Sequence, residues 1–280
     1  MTSRYRARDP VLHDAPPEPT WDPRQYLRHA DHRTRPFQDL LARIGDLPGH
    51  PAPRIADLGC GAGNVTALLA DRWPQARITG YDSSPQMLAE AAAHARPPLL
   101  DFVEADAATW EPTETYGLIV STSALQWIPG HAGHFPRWID ALASGGTFAF
   151  QVPGNFTAPS HTLLARLRAS DRWRPRLHST GDRTAAVLDP ADYLTRLRDL
   201  GCTADVWETT YLQTLHGEDA VLDWVKGTAL RPVLTALADD PEARDAFLTE
   251  YRDLLRAAYP PGPYGTVFPF RRIFAVARKP

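Results

Sequence analysis

The sequence predicts an α/β fold built on a doubly wound, mostly parallel sheet of seven strands. Three observations carry that prediction. Strand-like and helix-like segments alternate between residues 54 and 153. Glycines at every second position, Gly59, Gly61 and Gly63, directly follow the first strand-like segment. Two further strand-like segments near the C-terminus are separated by helical ones. Regular β–α alternation means βαβ units, and these build parallel sheets.

The elements follow in order. Residues 1–20 are rich in Arg, Pro and Asp and poor in apolar residues, which predicts a flexible tail before one domain over residues 21–280. "RPFQDLLARI" (35–44) sets Phe37, Leu40, Leu41 and Ile44 on one helical face. "DLPGHPAP" (46–53) reads as a loop from its Pro and Gly content. "RIADLG" (54–59) reads as strand 1, "NVTALLADRW" (64–73) as a helix capped by Asn64, and "RITGYD" (77–82) as strand 2. "SPQMLAEAAAHA" (84–95) reads as a helix with Ser84 as its cap. Its Pro85 falls in the first turn, where a missing N–H leaves no bond unmade. "LLDFVEAD" (99–106) and "YGLIVSTSA" (116–124) are strands 3 and 4. "FPRWIDALA" (135–143) is a helix, "SGG" a turn and "TFAFQVP" (147–153) strand 5. Residues 154–200 are helical and Arg-rich, and "TADVWETTYLQTL" (203–215) alternates as a strand. Helices are expected near 218–229, 232–238 and 242–258, and "RRIFAVARK" (271–279) is the last strand.

Composition narrows the function classes. Hydrophobic residues make up 43% of the 280, enough for a buried core. The 30 Lys+Arg and 33 Asp+Glu leave a formal charge of -3, which argues against a nucleic-acid partner. The cations are almost all arginine, since only Lys226 and Lys279 are lysines. Cys60 and Cys202 make neither a metal cluster nor a disulfide framework. Cys60, inside the glycine loop, is better read as a small residue in a tight turn than as a nucleophile. No apolar run approaches a membrane span and no secretory leader is visible, so a cytoplasmic protein without a membrane partner is expected.

The glycine loop asks for a ligand. Glycines turn the backbone tightly and let a ligand approach where a Cβ would stand. NAD, FAD and S-adenosylmethionine are all held by such loops, so the loop alone does not choose between them. Its G-x-G-x-G spacing is tighter than the G-x-G-x-x-G of dinucleotide binders. Asp82 ends strand 2 about twenty residues on, where a carboxylate accepts from ribose hydroxyls; the alternative is an Asx turn before Ser83. Asp106 ends strand 3, where a carboxylate can accept from an adenine amino group or simply face water.

Together these motifs resemble the class I S-adenosylmethionine-dependent methyltransferases over about 50–152 and the final strand pair. The resemblance implies a Rossmann-like methyltransferase sheet with its last strand antiparallel, and S-adenosylmethionine as cofactor. It implies loop backbone around the methionine part, ribose on Asp82, and adenine near Asp106 and Ala107. Asp57, Gly59, Gly61 and Ser83 complete the implied cofactor set, with Arg33 a candidate for a carboxylate or a solvated ion pair. More of the chain is similar to the trans-aconitate 2-methyltransferase family: "WDPRQYL" (21–27), "HRTRPFQDLLARI" (32–44), Asp82 with the "SPQML" (84–88) that follows Ser83, "ALQWIP" (124–129), "PGNFTAPSH" (153–161), "DVWETTYL" (205–212), "DWVKGTALRP" (223–232) and "FPFRRIF" (268–274). That resemblance implies methylation of one carboxylate of trans-aconitate. The Arg/Pro tail departs from the pattern.

An acidic substrate suits the residues outside the cofactor core, about 50–152. A polycarboxylate needs guanidinium forks to replace its water. Helical segments at about 154–200 and 216–262 are expected to form a lid over it. The candidate substrate residues are Trp127, Asn155, His161, Trp224, Arg231 and Arg272. The tryptophans can equally be core residues, and His161 a packing residue. Arg271 and Arg272 alternate across a strand, so one of them faces away. No catalytic acid or base is needed, because a carboxylate of reference pKa about 4 is already ionised at neutral pH. A monomer without a metal is expected. Two rival readings stay open: a methyltransferase for another acid or a natural-product hydroxyl, and a cofactor-binding protein without turnover.

Overall fold

A computed structural model of the protein describes residues 30–48, 51–177 and 187–280. The predicted tail and "WDPRQYL" lie outside the described residues. The sheet has seven strands: β1 (Arg54–Leu58), β2 (Arg77–Asp82), β3 (Leu100–Glu104), β4 (Tyr116–Thr122), β5 (Leu142–Pro153), β6 (Thr203–Leu215) and β7 (Thr266–Arg278). Their order is β3-β2-β1-β4-β5-β7-β6. Neighbours among β1 to β5 are parallel, and β7 runs antiparallel to both β5 and β6. The chain leaves β1 to one side for β2 and returns to its other side for β4, so a topological switch point lies between β1 and β4. Ligands of such sheets sit there, beyond the carboxyl ends of the strands.

Two layers of helix cover the sheet. On one face α1 (Ala30–Leu41) and α2 (Thr66–Arg72) bury Phe37, Leu40 and Leu69 against Ile55, Leu118 and Phe274. On the other, α4 (Phe135–Asp140) buries Phe135 and Trp138 against Phe148 and Phe150, beyond α3 (Pro85–Ala91) in the chain. The Phe135–Phe148 rings meet edge to face at 5.0 Å, an arrangement that adds about 0.5–1.5 kcal/mol to simple burial.

A separate apolar cluster lies above the sheet. It joins α5 (Pro159–Ala169), α6 (Arg174–Leu177), α8 (Ala220–Lys226), α9 (Arg231–Ala236) and α10 (Pro241–Ala258) to the first half of β7. Phe268 and Phe270 belong to this upper cluster, whereas Ile273 and Phe274 belong to the sheet cores. One strand thus ties the upper cluster to the sheet, with Arg272 at the junction.

Some expected boundaries move. The strand expected at 271–279 starts at Thr266, because β7 pairs with β6 from Leu215↔Thr266 onward. The "SGG" turn is part of β5, whose pairing to β4 shifts register between Tyr116 and Leu118. Asn64 is not the cap of α2: the N-cap position is Val65, with no side-chain cap bond. Ser84 does cap α3, its Oγ accepting from Met87 N at 3.3 Å. The helix α7 (Pro190–Asp199), in a segment expected to serve the lid, instead packs Tyr193 and Leu197 into the sheet core.

Candidate active site

The glycine loop follows β1 and is tied to β2. Gly59 N and Cys60 N both donate to Tyr81 O, at 2.7 and 3.0 Å. Gly59 has φ +77°, and a Cβ there would stand 2.2 Å from Ala124 Cβ, so the loop is pressed on the turn after β4. Gly61 has φ +56° but open space where its Cβ would be, and that space belongs to a pocket. Asp82 holds the loop from the other side: Oδ2 accepts from Gly61 N and Oδ1 from Ser84 N, both at 2.9 Å. The turn role and a ligand role are compatible, because each carboxylate oxygen keeps a second lone pair. Burial pushes the Asp82 carboxyl up, while these two N–H donors pull it down.

Asp57 is 1% exposed and does not line the pocket. It lies beneath the loop and accepts from Thr66 Oγ1 at 2.6 Å. Burial raises its pKa to about 7, opposed by the Thr66 hydrogen bond and assisted by the charge of Asp82. Asp57, expected among the cofactor residues, thus lies outside the pocket lining and ties β1 to the start of α2. Cys60 is 3% exposed, and burial with two nearby carboxylates pushes its thiol well up, so it has no thiolate character at neutral pH.

The pocket is lined both by the glycine loop and by residues of the upper apolar cluster. Gly59, Gly61, Asp82, Ser83, Asp106 and Ala107 line one end. Asp106 Oδ1 also accepts from Ala108 N at 2.8 Å. Trp127, Asn155, His161, Trp224 and Arg272 line the other. Trp224 is also a core residue of the upper cluster, its ring 5.5 Å from that of Phe270. His161 packs against Phe156 and lies 3.2 Å from Ser160 Oγ. Asn155 is 3% exposed, with neither amide atom hydrogen-bonded in the structure. Arg272, 3% exposed, donates through Nη1 to Ser123 Oγ and Gln151 Oε1, both at 3.0 Å, and stands 4.6 Å from the Phe270 ring centre. Its strand neighbour Arg271 points the other way, to Glu208 and Gly154 O.

One expected substrate residue, Arg231, is not among those that line the pocket. Arg231 opens α9, whose buried side is Leu230, Val233 and Leu237; Thr228 and Ala229 line the pocket instead. The side chain of Arg33 lies outside the described residues. Arg168, Ser123, Gln126, Phe156 and Phe270 line the pocket without having been singled out in the sequence. Arg168 had a signal: His161, Leu164, Ala165 and Arg168 stand at i, i+3, i+4 and i+7 on α5, one helical face, and all four line the pocket.

The described residues contain no group of three or more His, Cys, Asp or Glu that could hold a metal, and no helix long and apolar enough to cross a membrane. Residues 55–146 match a family model described as a methyltransferase domain. A solved S-adenosylmethionine-dependent methyltransferase from Geobacter sulfurreducens, in complex with S-adenosylhomocysteine, superposes with TM-score 0.53 at 21% identity, over 93% of this chain and 100% of that one. The fold is that of the class I methyltransferases. Trans-aconitate 2-methyltransferase from Streptomyces coelicolor is 65% identical over 94% of this chain and 88% of its own. The enzyme of that name from Streptomyces avermitilis is 64% identical over 93% of this chain and 97% of its own. The chain belongs to the trans-aconitate 2-methyltransferase family.

Proposed function

We propose that the protein transfers a methyl group from S-adenosylmethionine to one carboxylate of trans-aconitate, or of a closely similar small polycarboxylate. The products are a monomethyl ester and S-adenosylhomocysteine. The observation that carries this reading is a buried guanidinium, Arg272, in the wall of the pocket whose other end holds Asp82 and Gly61. The family's name for its substrate agrees with that charge. A cytoplasmic monomer remains part of the proposal.

The residues present fit the cofactor. Gly61 leaves open the space that a Cβ would fill, Asp82 offers lone pairs for hydroxyls, and Asp106 and Ala107 stand beyond it. When bound, S-adenosylmethionine supplies an electrophilic methyl group on a sulfonium. The nucleophile is ionised already, so the chain moves no proton. Its tasks are binding, alignment and exclusion of water. Arg272 and Arg168 supply cationic donors for substrate carboxylates, and the Asn155 amide supplies a neutral one. Trp127, Phe156, Trp224 and Phe270 wall the site with apolar surface. Charge is lost as ester and thioether form, so a dry site favours the transition state over the separated ions.

A pH profile separates this chemistry from methylation of a hydroxyl. With cofactor and substrate bound before a single turnover, the rate should stay flat from about pH 6 to 8.5, above a carboxylate's reference pKa of about 4. A tenfold rise per pH unit would mean that a proton leaves the nucleophile, which contradicts ester formation.

A further inference from the structure

Ser123 is the one non-glycine residue with positive φ among the described residues, at 55°. It follows β4 directly and lines the pocket. The left-handed region is unfavourable for a side-chain-bearing residue and persists only where the surroundings over-determine it. Here they do. Ser123 N donates to Gln151 O at 2.8 Å, and Gln126 Nε2 donates to Ser123 O at 2.5 Å. The hydroxyl donates to Gln151 Oε1 at 2.9 Å and accepts from Arg272 Nη1 at 3.0 Å.

Glycine would hold this backbone without steric cost. What serine adds is the hydroxyl, and the hydroxyl binds Gln151 and Arg272. The next residue, Ala124, is the one against which Gly59 is pressed, so the same turn abuts the cofactor loop. Arg272 is itself at the junction of the upper cluster and the sheet, where a displaced guanidinium would miss a ligand held by the loop.

We propose that Ser123 is a positioning residue. Its strained turn aims the Arg272 guanidinium at a substrate carboxylate and so contributes to selection of polyanionic substrates. The inference rests on the reading of the pocket as a carboxylate site. Arg272 touches the substrate; Ser123 acts through it.

The test compares Ser123→Gly, Arg272→Met and the double variant in full-length protein, with trans-aconitate as substrate. Ser123→Gly suits the φ, so its melting temperature should not fall. KM should rise about tenfold, the effect of one charge-assisted hydrogen bond, while kcat and the dissociation constant of S-adenosylmethionine stay within about twofold. In the Arg272→Met background the same glycine should change KM less than about twofold, because its target is gone. An unchanged KM in Ser123→Gly, or an equal rise in both backgrounds, overturns the positioning role. If Arg272→Met leaves KM unchanged, the carboxylate-site reading falls and takes this inference with it. Should Arg272→Met fail to fold, the separation of KM from kcat in Ser123→Gly still decides the matter.

Discussion

Gly59 and Gly61 share a positive φ and differ in what a side chain would meet there. That difference separates structural from ligand roles at the scale of one methyl group. Gly61→Ala should cost about 1 kcal/mol of stability from its φ, since nothing stands within 4 Å of the new Cβ. Calorimetry should nevertheless show S-adenosylmethionine affinity reduced at least about tenfold, because the methyl fills the ligand's approach. Gly59→Ala should melt lower than Gly61→Ala, with Ala124 in its way; equal melting temperatures would contradict this account of the loop. Asp57 makes a pH prediction. Its folded pKa of about 7 lies above its unfolded value of 3.8, so the stability it confers is full below pH 4 and lost as pH rises through 7. Asp57→Asn can still accept from Thr66 and does not titrate. Relative to wild type it should gain stability between about pH 4 and 7, on the order of a few kcal/mol. Urea unfolding at pH 5 and pH 8 checks this, and a difference independent of pH would mean that Asp57 is not protonated in the fold.

Two tyrosine hydroxyls tie the helices of the upper cluster together. At the first turn of α5, Tyr251 Oη donates to Ser160 O at 2.5 Å and Tyr259 Oη accepts from Ser160 N at 3.0 Å. Tyr251 lies within α10 and Tyr259 follows its last residue, so this helix fixes the turn that carries His161. Tyr251→Phe removes a buried side-chain hydrogen bond to the first turn of α5 and should lower stability by about 1 kcal/mol. Hydrogen exchange should quicken over residues 160–165 and stay unchanged in β1 and β4; uniform quickening would show that the upper cluster does not open separately from the sheet. The elements were legible in the sequence to unequal degrees. β1 to β5 follow from short apolar runs between turn residues. Ser84 capping α3 was legible because a small hydroxyl before proline has one good use. The bend in the β4–β5 ladder was not, since a glycine pair reads as a turn until pairing across the sheet is known. The place of α7 was equally hidden, because an amphipathic helix does not state which apolar surface it covers. At the site, Asp82 and Asp106 were legible from their places at strand ends. Ser123 was not, because nothing local marks a serine for a left-handed turn.

Across the molecule, two apolar bodies meet along β7 and the pocket lies between them. The sheet body carries the glycine loop and Asp82; the upper body carries His161, Arg168 and Trp224. Arg272 was reachable from the alternation along "FPFRRIF", which sends one arginine inward and the other to Glu208. Arg231 is absent from the pocket lining, a placement its sequence neighbours do not state, because a helix N-terminus beside aromatic residues gives no direction to its side chain. The central claim is a carboxylate methylated in that cleft. Its most direct test is product analysis after incubation of the full chain with trans-aconitate and methyl-labelled S-adenosylmethionine. The account predicts one labelled methyl per product molecule, released by mild alkaline hydrolysis as expected of an ester. A base-stable methyl, or none transferred while the cofactor binds, would contradict it.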